Sequence, residues 1–384
     1  MTKLLWVLLI AAAVTAAATP LAILIAPKIG AMDVPKDNRR MHKKPIPRFG
    51  GVAIFLGVLV GFLFIEPLSQ QTRGLLVGAI MILILGVIDD LKDLPAKVKL
   101  AGQIVCACVA WYFTIRILGM ANLFGGAYIS FSPLVSLVVT VIWIVGITNT
   151  INLIDGLDGL AAGISCIAFL VIAYSSGLNA LSRTCVLSIA IAGACIGFLV
   201  WNMYPAKIFM GDAGSQMLGY LLATVTLIGD YPTKGTTLFA AIVPIIILAL
   251  PIFDTLFAIV RRAANHKPIM MADKGHLHHR IMGMGFGQRR TVLVLYSISA
   301  IMGVAGVLWT IHRRLESFAL AGIAGILIIV FLGIGIVDKK PPTEPSENAP
   351  ASYSDAPAFG KIKPLTEYPV IEQFSADEAE GKQE

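Results

Sequence analysis

The segment NTINLIDGLDGLAAG, residues 149–163, contains two asparagines and two aspartates between two strongly apolar stretches, LVSLVVTVIWIVGI and ISCIAFLVIAY. Polar groups are costly in apolar surroundings, so a cluster of them predicts a functional site. Four further clusters interrupt the apolar sequence in the same way. They are RRMHKKPIPRFGG (39–51), VIDDLKDLPAKVK (87–99), WNMYPAKIFMGDAGS (201–215) and RRAANHKPIMMADKGHLHHR (261–280).

Three of these clusters carry carboxylates that could act together. Brought into one place, five like charges would repel each other unless a cation or basic groups offset them. Carboxylate and amide oxygens suit Mg²⁺ or Mn²⁺, which also bind substrate phosphates. A solvated helix end would explain DDLKD by itself, but not a series of such motifs on one face. The carboxylates are Asp89, Asp90, Asp155, Asp158 and Asp212.

The basic residues indicate an anionic ligand, because arginine and lysine bind phosphate groups well. Taken singly, each could equally be a determinant of membrane topology. The run HLHH places His276, His278 and His279 together. A zinc site is an alternative, but the run lacks a helical i, i+4 pair and a nearby cysteine, so donors to a diphosphate are favoured. The basic candidates are Lys97, Lys99, Arg261, Arg262, Lys267 and Lys274.

The rest of the chain must hold these clusters in a membrane. Of 384 residues, 57% are hydrophobic and only 14% are charged, which excludes an ordinary soluble domain. Long apolar runs predict an all-α, polytopic membrane protein, because the backbone in a bilayer must bond to itself. We predict about eleven spans, at 3–26, 49–66, 72–88, 99–118, 130–147, 157–176, 182–201, 214–229, 236–259, 291–311 and 317–337.

Basic residues concentrate in loops 27–48 and 261–290 and are scarce in the alternate loops. Short basic loops stay in the cytoplasm, so we expect the N-terminus outside and all five polar clusters inside. The formal charge of +7 then reflects topology and anionic headgroups rather than nucleic-acid binding. The five cysteines fall inside predicted spans and are interpreted as apolar packing residues.

Two domains are predicted. Residues 1–337 form the transmembrane domain, and residues 338–384 form a Pro-, Ser- and Glu-rich tail that we expect to be disordered and cytoplasmic.

At these residues the sequence resembles a family, the polyprenyl-phosphate N-acetylhexosamine-1-phosphate transferases of glycosyltransferase family 4. The resemblance covers about residues 1–335 and includes all five clusters in order. The matching motifs are PRFGG (47–51), DDLKD (89–93), NTINLIDGLDGL (149–160), FMGDAGS (209–215) and HLHHR (276–280).

The resemblance implies a Mg²⁺-dependent phosphotransferase, with Mn²⁺ as the other candidate cation. Undecaprenyl phosphate would attack the β-phosphate of a UDP-N-acetylhexosamine and give a lipid diphosphate sugar and UMP. The site would lie at the cytoplasmic face of a bacterial inner membrane, where a lipid meets a nucleotide. The implied partners are these two substrates and the bilayer; a homodimer is left open.

The resemblance also implies roles for single residues. Asn152 and Asp212 would bind the metal. Asp89 and Asp90 would lie near the acceptor phosphate, where one could act as a base. A base would gain little, because a phosphate monoester with a pKa of about 6 is already mostly dianionic. The pair could instead help to place metal or lipid.

For the nucleotide and sugar, the resemblance places Asp155 and Asp158 in the nucleotide pocket, with Asp158 towards uracil. Phe209 would stack on uracil and Asn202 would bond its edge. Lys97 would contact a phosphate, with Lys99 as its rival. The residues expected to close on the sugar and diphosphate are Arg262, His276, His278 and His279.

Within the family, the loop ADKGHLHHRIMGMGFGQ (272–288) looks like the branch that uses UDP-N-acetylglucosamine to start a cell-envelope polysaccharide such as lipopolysaccharide or teichoic acid. The alternative is the branch that transfers phospho-N-acetylmuramoyl-pentapeptide for peptidoglycan. A transporter is a third alternative, but it would be expected to carry its charges in mid-span.

Overall fold

The fold is described from a computed structural model. The described residues are 2–34, 44–65, 68–120, 129–177, 183–228, 245–264, 276–311 and 313–337. The predicted tail, 338–384, and the basic residues Lys267 and Lys274 lie outside the described residues.

The described residues are mainly helical. The helices are α1 (Thr2–Ile29), α2 (Gly50–Leu63), α3 (Gln70–Lys92), α4 (Ala96–Tyr112), α5 (Pro133–Ile154), α6 (Leu160–Gly177), α7 (Arg183–Asn202), α8 (Gly211–Ile228), α9 (Ala249–Ala264), α10 (Leu277–Gly283), α11 (Gln288–Thr310) and α12 (Arg314–Val337). Two short antiparallel pairs join β1 (Met32–Asp33) to β2 (Ile46–Pro47) and β3 (Gly119–Met120) to β4 (Ile129–Ser130).

Seven helices within the described part of the chain are long and apolar enough to cross a membrane: α1, α3, α5, α6, α7, α11 and α12 up to Phe331. A mainly helical fold with several potential membrane spans is therefore confirmed, whereas the predicted count of about eleven spans is not. Helix α2 has only 14 residues and α4 only 17. Helix α8 reaches 18 residues but carries serine, glutamine and threonine.

Helix α8 can be this polar because protein surrounds it. Nearly all its residues are buried, and it packs against α2, α3 and α5. Glycines permit the close approach: a Cβ on Gly86 of α3 would lie 2.3 Å from the Cα of Ala213, and one on Gly51 of α2 would lie 2.3 Å from the nitrogen of Gly214. Small residues of this kind let helix backbones approach closely inside a bilayer.

Helix α7 is anchored to α1 where a proline frees a carbonyl group. Pro20 lies inside α1 and has no N–H, so the carbonyl of Ala16, four residues earlier, lacks its helical donor. The indole Nε1–H of Trp201 donates to that carbonyl at 3.0 Å. The contact fixes the last turn of α7, from which the polar segment 202–210 begins.

The segment around Arg48 is held by main-chain hydrogen bonds to the residues just before α8. Phe209 N donates to the carbonyl of Pro47 at 2.8 Å, and Gly50 N and Gly51 N donate to the carbonyls of Phe209 and Met210 at 3.0 and 2.9 Å. Arg48 and Phe209 form a parallel bridge. Two predicted clusters, 39–51 and 201–215, are thus joined through their backbones.

Candidate active site

The polar ends of several helices meet at one end of the bundle. The C-terminal ends of α3, α5 and α7 and the N-terminal ends of α4 and α8 all contribute, because side chains from α4 and α5 reach Asp212 in the first turn of α8. The sequence clusters at 87–99, 149–160 and 201–215, and the described residues 44–51 of the first cluster, are therefore brought together as predicted.

Asp212 is the centre of a group that we call the acidic cluster, made of Asp89, Asp90, Asp212, Arg48 and Lys99. Arg48 Nη2 and Lys99 Nζ both contact Asp212 Oδ2, at 3.0 and 3.1 Å. Each basic group also binds one member of the acidic pair: Arg48 Nε lies 2.9 Å from Asp90 Oδ1, and Lys99 Nζ lies 2.5 Å from Asp89 Oδ2. The two basic side chains thus bridge the three carboxylates of the cluster.

Both members of the predicted pair, Asp89 and Asp90, bind backbone N–H groups of the protein. Asp90 accepts the backbone N–H groups of Asp212 and Ala213 at 2.8 and 3.0 Å, so it binds the positive N-terminus of α8. Asp89 Oδ1 accepts the N–H of Leu94 at 2.9 Å. Both aspartates are buried and neither lines the cavity. These contacts hold α3, α4 and α8 together.

Of the two rival lysines, Lys99 is the one that reaches the acidic cluster. It projects from the first turns of α4, and its side chain is 29% exposed. Lys97, two residues earlier, is exposed. Its contact with a substrate phosphate stays a prediction.

A layer of three amides lies one helical turn below the acidic cluster. Gln103, four residues after Lys99, donates to Gln216 Oε1 at 3.0 Å, and Asn149 Nδ2 donates to Gln103 Oε1 at 2.6 Å. Above this layer, Asn152 Nδ2 donates to Asp212 Oδ1 at 2.7 Å. The amides fix the relative register of α4, α5 and α8, and so place Lys99, Asn152 and Asp212 together.

A cavity of about 520 Å³ opens beside the acidic cluster. Seven of the predicted site residues line it: Asn152, Asp155, Asp158, Asn202, Phe209, Asp212 and His279. Asp33, Arg48 and Gln288 line it as well, and sequence reasoning did not select them. The predicted residues that do not line it are Asp89, Asp90, Lys97, Arg262, His276 and His278.

One wall of the cavity is the turn between α5 and α6, which is braced from two sides. Gly159 N donates to Asn202 Oδ1 at 3.0 Å, and Tyr296 of α11 donates its hydroxyl to Gly159 O at 2.5 Å. Asn202 Nδ2 donates to Ile208 O at 2.8 Å, and Asp158 Oδ2 accepts the N–H of Ala206 at 2.9 Å. Gly159 adopts a positive φ of 78°, which glycine tolerates.

This bracing changes the expected task of Asn202. Its oxygen and its nitrogen both bond backbone groups of the protein, and its residue surface is 4% exposed. In the described structure Asn202 joins two cavity walls. Its predicted bond to the edge of uracil stays a prediction, as do the predicted roles of Asp158 and Phe209.

Residues 276–283, which we call the histidine segment, contribute one side chain, His279, to the cavity lining. His276 Nδ1–H donates to Asp254 Oδ2 at 2.9 Å, and Leu277 N donates to Asp254 Oδ1 at 2.8 Å. His278 lies between His276 and His279, with ring centroids 5.8 and 4.2 Å away. Only His279 reaches the cavity. Arg262 of α9 is buried outside it.

Burial and charge set the protonation states around the cavity. Burial, with the negative charge of Asp212, raises the pKa of Asp155 to about 7. Burial alone would lower the pKa of Arg48, but Asp90 and Asp212 outweigh it and the pKa rises. Burial, followed by the neighbouring His279, lowers the pKa of His278 to about 3, so this ring is neutral at pH 7.

The donor set fits Mg²⁺ shared with a phosphorylated ligand. Asn152, Asp155 and Asp212 place amide and carboxylate oxygens on one wall of the cavity. Mg²⁺ is commonly bound by one or two carboxylates, with water and phosphate oxygens completing its octahedron. Among the described residues, no three histidine, cysteine, aspartate or glutamate side chains are grouped to hold a metal by themselves. Water or substrate oxygens would therefore supply the remaining ligands.

Asp254 and Tyr296 were not predicted from the sequence. Neither lines the cavity, and each hydrogen-bonds a segment that does. Asp254 is the one carboxylate in the predicted span 236–259, and a lone acid in an apolar run was the available signal. Tyr296 gave no signal, because a tyrosine in an apolar helix is typical of packing.

The apolar helices and the polar cavity at their ends define the class, a helical membrane protein with a polar site. The sequence profile of glycosyl transferase family 4 matches residues 72–230.

Relatives match over most of the chain. A "probable undecaprenyl-phosphate N-acetylglucosaminyl 1-phosphate transferase" of Bacillus subtilis (strain 168) is 40% identical over 84% of this chain and 89% of its own. A "decaprenyl-phosphate N-acetylglucosaminephosphotransferase" of Mycolicibacterium smegmatis is 33% identical, over 87% and 88%. The chain belongs to glycosyl transferase family 4.

Proposed function

We propose that the protein transfers N-acetylglucosamine 1-phosphate from UDP-N-acetylglucosamine to undecaprenyl phosphate, the first membrane step of a cell-envelope polysaccharide. One observation carries the proposal: a single cavity joins oxygen donors on one wall to a histidine on another, at the end of a membrane bundle. The names of the relatives supply the lipid phosphate and the sugar phosphate.

The reaction is a displacement at phosphorus. An oxygen of the lipid phosphate forms a bond to the β-phosphorus of the donor, and the bond from that phosphorus to the bridging oxygen of UMP breaks. The sugar keeps its anomeric C–O bond. The attacking oxygen of the lipid phosphate is already mostly anionic at pH 7, and the bridging oxygen leaves with UMP as an anion, so no protein base is required. This agrees with the internal contacts of Asp89 and Asp90.

The chain's own residues would orient the reactants. The braced turn with Asp155 and Asp158, together with Phe209, would enclose the nucleotide. His279 would donate to the sugar or diphosphate. Mg²⁺ held by Asn152 and Asp212 would offset the charge of the diphosphate and of departing UMP. We place the site at the cytoplasmic face of a bacterial inner membrane, where nucleotide sugars are available.

Product formation tests the function directly. Membranes containing the protein should convert labelled UDP-N-acetylglucosamine and undecaprenyl phosphate into a chloroform-soluble lipid and UMP. Membranes from the same host without the protein are the control. EDTA should stop the reaction, and added Mg²⁺ or Mn²⁺ should restore it.

Two results would overturn the proposal. Absence of labelled lipid from correctly folded protein would favour a transporter. Labelled lipid formed with UDP-N-acetylmuramoyl-pentapeptide, but not with UDP-N-acetylglucosamine, would assign the protein to the peptidoglycan branch. Turnover that persists in EDTA would remove the metal from the mechanism while leaving the transfer itself intact.

A further inference from the structure

We propose that Arg48 and Lys99 are exchangeable counter-ions of Asp212: they neutralise it in the ligand-free protein, and a divalent cation replaces them when it binds. This inference rests on the proposed metal site. It assigns the two basic residues a second position, on the phosphate oxygens that arrive with the cation.

The contacts of Asp212 are the first reason. Its Oδ2 atom is shared by Arg48 Nη2 at 3.0 Å and Lys99 Nζ at 3.1 Å. Its Oδ1 atom accepts Asn152 Nδ2 at 2.7 Å. A divalent cation that binds a carboxylate oxygen needs the lone pairs that these donors use. Binding of the cation at Oδ2 and retention of both basic contacts are therefore in direct competition.

The partial exposure of the two basic groups is the second reason. The side chains of Arg48 and Lys99 are 22% and 29% exposed and that of Asp212 is 17% exposed, whereas those of Asp89 and Asp90 are 0% exposed. Asp89 and Asp90 are thus enclosed by protein, while Asp212 and both basic side chains are partly accessible. A long basic side chain can keep its stem buried while its charged end turns towards water, so the charged ends have room to leave Asp212.

Charge is the third reason. The acidic cluster contains three carboxylates and two basic groups, a formal charge of −1 when all are ionised. A divalent cation at Asp212 would supply the same two positive charges that the basic groups supply in its absence. Arg48 and Lys99 would then be free to bind phosphate oxygens, for which the arginine fork is well suited.

The test measures binding of Mn²⁺ alone, without nucleotide or lipid, to purified full-length protein in nanodiscs, by the loss of the free-Mn²⁺ spectrum in electron paramagnetic resonance. Lys99→Met removes one competitor. We expect it to bind Mn²⁺ about fivefold more tightly than wild type, the value of a favourable partly exposed ion pair. Its turnover should fall, because the phosphates lose a partner.

Three further variants distinguish exchange from an effect of net charge and from damage to the fold. Lys99→Arg keeps the competitor, so its Mn²⁺ affinity should stay near wild type. Lys92→Met makes the same charge change at the exposed end of α3 and should alter neither affinity nor turnover. Lys99→Met leaves Asp89 buried without its cation, which is costly. The double variant Asp89→Asn/Lys99→Met removes that cost and restores the net charge of the cluster.

The outcomes are distinct. Tighter Mn²⁺ binding with slower turnover in Lys99→Met, and binding tighter than wild type in the double variant, would support exchange. A double variant equal to wild type would reduce the effect to net charge and overturn it. Weaker Mn²⁺ binding in Lys99→Met and in the double variant would show that Lys99 supports the site structurally, and would overturn the exchange. If wild type binds no Mn²⁺ but still forms labelled lipid, the exchange fails and the transferase proposal stands.

Discussion

The acidic cluster and the histidine segment border the same cavity but are held in opposite ways. In the acidic cluster, charges from three sequence clusters compensate each other, and the basic ends remain partly exposed. In the histidine segment, one buried carboxylate, Asp254, binds both a ring nitrogen and a backbone N–H. The first arrangement can exchange partners, whereas the second fixes a geometry. We expect the acidic cluster to respond to cations and the histidine segment to determine orientation.

The sharpest test of the acidic side is Asp212→Asn. The amide keeps the shape of the side chain but loses the negative charge that binds Arg48, Lys99 and the proposed cation. Turnover should fall by about 100-fold or more, as when a main electrostatic group is removed. The assay is labelled-lipid formation per folded protein. Asp93→Asn makes the same change at the exposed C-terminal end of α3 and should keep near wild-type turnover; a similar loss there would refute a specific role of Asp212.

The corresponding test of the histidine side is Asp254→Asn. The carboxamide can present an N–H to His276 Nδ1, which would move the ring proton to Nε2. We expect kcat/KM to fall by about 10- to 100-fold, the range for partners that orient a functional histidine. If Asp254 acts through the ring, the change should add little in a His276→Gln background. Equal losses in both backgrounds would mean that Asp254 only supports the fold.

A smaller effect on turnover is expected from the turn between α5 and α6, which forms one wall of the same cavity. Tyr296→Phe removes the hydroxyl that binds Gly159 O. A lost hydrogen bond of about 1 kcal/mol corresponds to roughly a fivefold rise in the KM for UDP-N-acetylglucosamine, with kcat nearly unchanged. Tyr174→Phe, an exposed tyrosine on α6, is the matched control. A fall in kcat without a change in KM would place Tyr296 outside the positioning of the nucleotide.

The last prediction concerns the stability of the ligand-free protein and leaves turnover aside. The pKa of Asp155 is raised to about 7, so the folded state holds this proton more tightly than the unfolded state does. Stability is therefore lost as pH rises from about 4 to about 7, by at most about 1.4 kcal/mol per pH unit. Melting curves should show this decline in wild type and a flatter profile in Asp155→Asn. Parallel profiles would contradict the raised pKa.

The sequence predicted the acidic side well because its partners come from conspicuous polar motifs. Asp212, Asn152 and Lys99 each interrupt or border an apolar run, and membrane topology alone brings such motifs to one surface. It could not separate Lys97 from Lys99, because that choice depends on the rotation of α4 against α8. The support role of Asp90 likewise depends on where α8 begins.

The histidine side was less predictable. The run HLHH identified the segment, but not that only His279 faces the cavity, since this depends on the docking of Asp254 from a distant apolar helix. The predicted count of about eleven spans is not confirmed, because seven helices among the described residues are long and apolar enough to cross a membrane. Helix α8 is more polar than these, and its burial by α2, α3 and α5 could not be read from the sequence.

The backbone pairing between residues 47–51 and 209–210 has a consequence for biosynthesis. Arg48 meets Asp212 only across a separation of 164 residues, and chains are made from the N-terminus onwards. In a nascent chain, residues 47–51 therefore lack their hydrogen-bonding partners until residues 209–210 leave the ribosome. Truncated products that end before residue 209 can insert apolar helices but have no means of completing the pocket.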